Sequence, residues 1–248
     1  MKKIFFKNKF NEKICGVIDE PSPEKKIIIL IHGFSSNKDK GTKIIAEELG
    51  KNKINTLRID LDNLGESEPK FEFATITKYI GVVESAIKFC KDKGYKKISL
   101  LGTSTGGLVA MATTLKHPEL KFLILRSPTS SNDEDVLLMK GKKGLKKWKE
   151  QGYTYHIKSD GTKHKIRYEF VEDGHQYTMY DKVKNIKIPT LIIQGTDDEC
   201  VNPENTKKLT KNFPDAKLEL IKGADHSLGI NENYEKSLKI LINWLKKK

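Results

Sequence analysis

Ile98-Ser99-Leu100-Leu101-Gly102-Thr103-Ser104-Thr105-Gly106-Gly107-Leu108-Val109-Ala110-Met111-Ala112 runs from an apolar strand through a glycine-flanked serine into an apolar helix. That order describes a nucleophile elbow, a strained strand-to-helix turn that lifts a serine hydroxyl out of the chain. Near-absent side chains two residues before and after Ser104 let neighbouring backbone and a substrate come close. The expected chemistry is acyl transfer to water. Short glycine-serine patterns also occur by chance in loops, so the weight falls on further elements in the right chain order.

Working outward, the chain alternates strands with helices. Lys2 to Phe10 and Lys13 to Asp19 read as an antiparallel hairpin around Asn11-Glu12, and Lys26 to Ile31 as a strand buried on both faces. Thr42 to Gly50 reads as a short helix, Ile54 to Ile59 as a strand, and Thr75 to Lys93 as an amphipathic helix with Ile76, Ile80, Val83 and Ile87 on one face. Beyond the elbow come helix Leu108 to Lys116 and strand Phe122 to Leu125, then strand Thr190 to Gln194, helix Glu204 to Asn212, strand Lys217 to Ile221 and helix Glu232 to Lys247. This rhythm predicts an α/β fold with a mostly parallel, doubly wound sheet and an N-terminal antiparallel hairpin.

The expected core domain covers residues 1–126 and 188–248, and the polar stretch 127–187 breaks the rhythm. Within that stretch, Lys140 to Lys149 around Trp148 has helical character, and Tyr153 to Lys158 and Lys163 to Phe170 flank Asp160-Gly161, a hairpin signal. An inserted cap, helix plus β-hairpin, is expected over the serine. Its aromatics, Trp148, Tyr153, Tyr155, Tyr168 and Tyr177, suit either a pocket lining or the cap's own small core.

The chain has 248 residues and a formal charge of +13. Only Arg58, Arg126 and Arg167 supply guanidinium forks, and the lysines are scattered without aromatic interleaving, so a solvated surface is expected and no specific nucleic-acid partner. No apolar run approaches the roughly 20 residues of a membrane helix, and Lys7-Asn8-Lys9 interrupts any signal-peptide core. Cys15, Cys90 and Cys200 are odd in number and lack metal-ligand spacing, which supports neither a disulfide framework nor a metal site. A soluble, cytoplasmic protein without cofactor is the expectation; a homodimer stays open.

A serine hydroxyl needs an imidazole to take its proton and a carboxylate to hold that imidazole. His226, in Gly223-Ala224-Asp225-His226-Ser227 after the last strand, belongs on the same sheet edge as Ser104. The acid comes from Gly195-Thr196-Asp197-Asp198-Glu199-Cys200-Val201, which offers Asp197 and Asp198. Oxyanion donors are expected from the backbone N–H of Thr105 and of Phe34, the latter in the turn His32-Gly33-Phe34, with His32 orienting that turn. Asp60 to Ser67 is read as a structural turn, and Cys200 as a small apolar residue.

Ile31-His32-Gly33-Phe34, Asp60 with Gly65-Glu66-Ser67, Gly102 to Gly107, Gly195 with Asp198 and Val201, and Gly223 to His226 together resemble the α/β-hydrolase superfamily across nearly the whole chain. The superfamily's acid loop, Gly, two residues, Asp, two residues, Val, implies Asp198 as the acid. His32-Gly33-Phe34-Ser35-Ser36-Asn37-Lys38, with a cap after the sixth strand, resembles small bacterial cinnamoyl and feruloyl esterases and monoacylglycerol-lipase-like carboxylesterases. The resemblance implies a serine carboxylesterase for small to medium esters, aromatic acyl esters among them. Two alternatives are a serine aminopeptidase-like enzyme, which would use Asp133, Glu134 or Asp135 to bind an amine, and a non-catalytic ligand binder on the same fold.

Overall fold

Continuous runs of Ile, Leu and Val form the middle of one eight-stranded sheet in the computed structural model, which describes residues 1–158, 160–228 and 232–248. In chain order the elements are β1 (Lys2–Lys7), β2 (Lys13–Asp19), β3 (Lys26–Ile31), α1 (Gly41–Lys51), β4 (Thr56–Ile59), α2 (Ile76–Asp92), β5 (Lys97–Thr103), α3 (Thr105–Lys116) and β6 (Leu123–Arg126). They continue with α4 (Asn132–Gln151), β7 (Tyr153–Ile157), β8 (Lys163–Arg167), α5 (Glu169–Gly174), β9 (Thr190–Gly195), α6 (Pro203–Thr210), β10 (Ala216–Ile221) and α7 (Glu232–Leu245). Strand order in the large sheet is β1-β2-β4-β3-β5-β6-β9-β10. The β1–β2 and β2–β4 pairs are antiparallel and every other pair is parallel, which gives the expected antiparallel edge.

Alternation along β3 shows why the sheet needs cover on both faces. Ile27, Ile29 and Ile31 join the core containing α2 and α3, whereas Ile28 and Leu30 join the core of α1 and α7. Helix α2 presents Ile76, Ile80, Val83 and Ile87 to the first of these, as its periodicity predicts, and Thr75 caps it by accepting from the Lys78 N–H. Each fully buried isoleucine contributes about 1.5–3 kcal/mol of burial free energy. Truncating Ile29 at the sheet's centre to Ala would remove about 2–5 kcal/mol.

The hairpin strand expected to reach Phe10 ends at Lys7. Asn8 turns the chain there, its side-chain oxygen accepting from the N–H groups of Phe10 and Glu12. Between β6 and β9 lie α4, β7, β8 and α5; β7 and β8 form a separate two-stranded antiparallel sheet. Helix α4 begins at Asn132, eight residues before the expected Lys140, with Asp133, Glu134 and Asp135 in its first turn and a kink at Gly141 (φ 64°). Carboxylates there complement the positive end of the helix dipole, so the polar stretch that breaks the alternation opens with a helix. Trp148 and Tyr168 stack edge to face at 6.0 Å within the core, while Tyr153 and Tyr155 stay exposed. No helix among the described residues is long and apolar enough to cross a membrane.

Candidate active site

The carboxyl ends of β3, β5, β6, β9 and β10 meet along one edge of the sheet, where ligands bind in open α/β folds. Ser104 sits between β5 and α3 with φ 55° and ψ −126°, a strained backbone for a non-glycine residue. Its N–H donates to the Arg126 carbonyl at 2.9 Å, and its carbonyl accepts from Gly107 at 2.7 Å and Thr129 at 3.2 Å, which fixes the turn. A Cβ on Gly102 would overlap the Gly106 carbonyl, and one on Gly106 would overlap the carbonyls of Ile31 and His32. The glycines flanking the serine are therefore required by backbone packing.

His226, after β10, places Nε2 3.0 Å from Ser104 Oγ and Nδ1 2.9 Å from both Asp198 oxygens. Asp198 Oδ1 also accepts from the N–H groups of Cys200 and Val201, and Oδ2 from Gln194 Nε2 at 2.7 Å; Gln194 is held in turn by Thr206. Burial opposes ionisation of Asp198, but the His226 hydrogen bond and charge, with the Val201 and Gln194 donors, outweigh it and hold the carboxyl below its ordinary pKa. Burial likewise opposes charging of His226, yet Asp198, Asp135 and Glu199 raise its pKa above the ordinary value. A Cβ on Gly195 would overlap the carbonyls of Ala224 and Asp225, so glycine lets the acid loop and the histidine loop touch. Asp197, the other acid the sequence offered, is exposed and accepts from Thr196.

Gly33, Phe34, Ser104, Thr105 and His226 line one cavity of about 840 Å³. Among the described residues the N–H groups of Phe34 and Thr105 have no backbone acceptor. His32 orients its turn: Nε2 accepts from the Leu61 N–H at 3.1 Å, which leaves Nδ1–H to donate to the Gly33 carbonyl at 2.8 Å. Asp60 accepts from the N–H groups of Lys38 and Glu66, a structural turn as read. Asp198, Cys200 and His226 bring possible metal-ligand atoms within 4.8 Å, but the carboxylate and imidazole are engaged with each other and Ser104.

Three cavity residues had no role in the sequence reading. His156 on β7 hydrogen-bonds Ser35 Oγ through Nε2 at 2.8 Å and meets the Phe34 ring edge to face at 5.2 Å, tying the hairpin to the Phe34 turn. Arg126 and Tyr234 line the cavity from β6 and α7. No local pattern marks any of them; their place follows from long-range packing. Of the acidic trio, Asp133 pairs with His175 and Glu134 accepts from Tyr180, while only Asp135 lines the cavity. Burial pushes the Asp135 carboxyl up to about 6. None of the five cap aromatics is among the described residues lining the cavity, whose apolar wall includes Phe34, Ile44, Ile45, Leu138 and Met139.

The sequence profile described as serine aminopeptidase, S33 matches residues 22–159 and 155–233. Human serine hydrolase BPHL is 24% identical over 81% of this chain and 73% of its own length. Human monoacylglycerol lipase ABHD6 is 22% identical over 89% of this chain and 75% of its own length. Among solved structures, Est1E from Butyrivibrio proteoclasticus, with ferulic acid bound, superposes with a TM-score of 0.85 at 24% identity, covering 98% of both chains.

Proposed function

Because the chain belongs to the serine aminopeptidase S33 family and is a serine hydrolase of the α/β-hydrolase fold, we propose that it hydrolyses small to medium carboxylic esters through Ser104, His226 and Asp198. The observation that carries this reading is the Ser104 Oγ to His226 Nε2 distance of 3.0 Å with Asp198 at 2.9 Å from Nδ1. His226 takes the Ser104 proton as Oγ attacks the ester carbonyl, and Asp198 stabilises the imidazolium. The N–H groups of Phe34 and Thr105 receive the oxyanion, each worth about 3 kcal/mol to the transition state. His226 returns the proton to the leaving alcohol, and a water activated by the same imidazole then releases the acid.

Residues 127–187 act as a cap domain over the core of 1–126 and 188–248, since Asp135, Leu138, Met139 and His156 from this stretch line the cavity. The apolar wall suits an acyl chain or ring, in keeping with the ferulic acid bound to Est1E and the lipase name of ABHD6. Hydrolysis of p-nitrophenyl acetate and butyrate by wild type and Ser104→Ala tests the proposal; turnover should drop by about 10⁴ to 10⁶. Equal rates would end it. A second reading, release of an N-terminal amino acid, is favoured by Asp135, which could pair with a substrate ammonium. Aminoacyl-amide hydrolysis that is lost in Asp135→Asn, with ester hydrolysis retained, would select it.

A further inference from the structure

Arg126 ends β6 beside the nucleophile, its carbonyl accepting the Ser104 N–H at 2.9 Å. The residue is only 3% exposed and is among those lining the same cavity as Ser104 and His226. Buried charges in folded proteins are normally matched by an opposite charge, because an unmatched one is expensive to desolvate. This one has neutral company. Nη2 donates to Ser237 Oγ at 2.9 Å, and the guanidinium lies 5.1 Å from the Tyr234 ring centroid. Among the described residues no carboxylate forms an ion pair with it, and burial accordingly pushes its pKa down. The Tyr234 hydroxyl, on another cavity-lining residue, is buried beside this guanidinium and partly offsets the effect of burial on it.

The cavity is polarised. Asp135 and Glu199 place acidic groups where they act on His226, and an anion there would be repelled. Arg126 belongs to the face covered by α1 and α7, through its bond to Ser237 of α7, and Thr42, Ile44 and Ile45 of α1 also line the cavity. A cationic fork with donors to spare, a tyrosine hydroxyl beside it and an aliphatic wall together match a carboxylate at the end of a short aliphatic chain. We propose that Arg126 and Tyr234 form a carboxylate-binding subsite, so that the preferred ester carries a carboxylate a short aliphatic chain away from the scissile bond. This deepens the esterase reading and rests on it for the reaction, though not for binding.

Proton release near neutral pH reads the test with two matched pairs. Monomethyl glutarate against methyl valerate places the carboxylate on the acyl side, and 4-acetoxybutyrate against butyl acetate places it on the alcohol side. Wild type should favour the anionic member of one pair by about tenfold or more in kcat/KM, the scale of one charge-assisted hydrogen bond. Arg126→Met should abolish that preference while neutral-ester hydrolysis persists, Arg126→Lys should retain part of it, and Tyr234→Phe should weaken it. Equal rates within both pairs for wild type, which needs no variant to fold, would overturn the proposal, as would a preference that survives Arg126→Met. If no ester is turned over, calorimetric titration of Ser104→Ala with glutarate decides separately. Heat lost in the Ser104→Ala/Arg126→Met double variant supports the subsite, and no heat in Ser104→Ala refutes it.

Discussion

The sheet edge and the cap solve different problems. At the edge, Ser104, Asp198 and His226 are held by short backbone bonds and by glycines whose neighbours leave no room for a methyl group. The cap offers a helix kinked at Gly141, with Leu137, Leu138 and Met139 exposed beyond an acidic first turn. Polar contacts tie it to the core, His156 to Ser35, Asp173 to Thr77 at 2.5 Å, and Lys165 and Arg167 to Glu72, and so do apolar ones: Phe170 packs on Phe34, and Val136, Ile166 and Val171 join the buried cluster of α2 and α3. On the proposed reading the chemistry rests on the sheet edge and selection on the exposed rim of the cap, while the cap's inner face shares the core.

The largest effect expected at the edge is that of Asp198→Asn, which keeps the shape but favours the wrong imidazole tautomer. Its kcat should fall by about 10⁴ while the fold persists by circular dichroism. A loss under tenfold would mean that the edge is not organised as described. Next comes pH. His226 must be neutral to accept the Ser104 proton, and its pKa is raised, so kcat/KM should fall about tenfold per unit as pH drops through a value above the ordinary 6.5 or so.

Asp135, from the cap, is one of the groups raising that pKa. Asp135→Asn should move the acid limb of the pH–rate profile to lower pH, and an unmoved limb would separate the two regions more sharply than the account allows. Smallest is the effect of the apolar rim. Leu138→Ala and Met139→Ala should raise KM for longer acyl chains by a few fold, below the roughly 1–3 kcal/mol of a buried methylene contact because both side chains are exposed, with kcat on acetate esters unchanged. A fall in kcat on acetate would place these side chains in the chemistry.

The same contrast sets how much of the site is written in local sequence. The edge is encoded locally: Gly102 to Gly106 announces the turn, the β-branched runs announce buried strands, and a histidine after the last strand has one place to go. The acid was ambiguous between Asp197 and Asp198 from residue types alone, because only the fold turns one inward towards Gln194 and His226 and leaves the other exposed. The cap was legible as an interruption with a hairpin, yet its helix start was hidden by a polar first turn. His156, Arg126 and Tyr234 carry no local signature. Each acquires its surroundings from an element distant in sequence: Ser35 for His156, and Ser237 and the Arg126–Tyr234 contact for the other two.

Treatment of the folded protein with a fluorophosphonate, followed by peptide mass spectrometry, tests the central claim most directly. An alcohol activated by His226 and Asp198 predicts one adduct on Ser104 in wild type and none at that position in His226→Ala. An unlabelled Ser104, or labelling that is indifferent to His226, would contradict it.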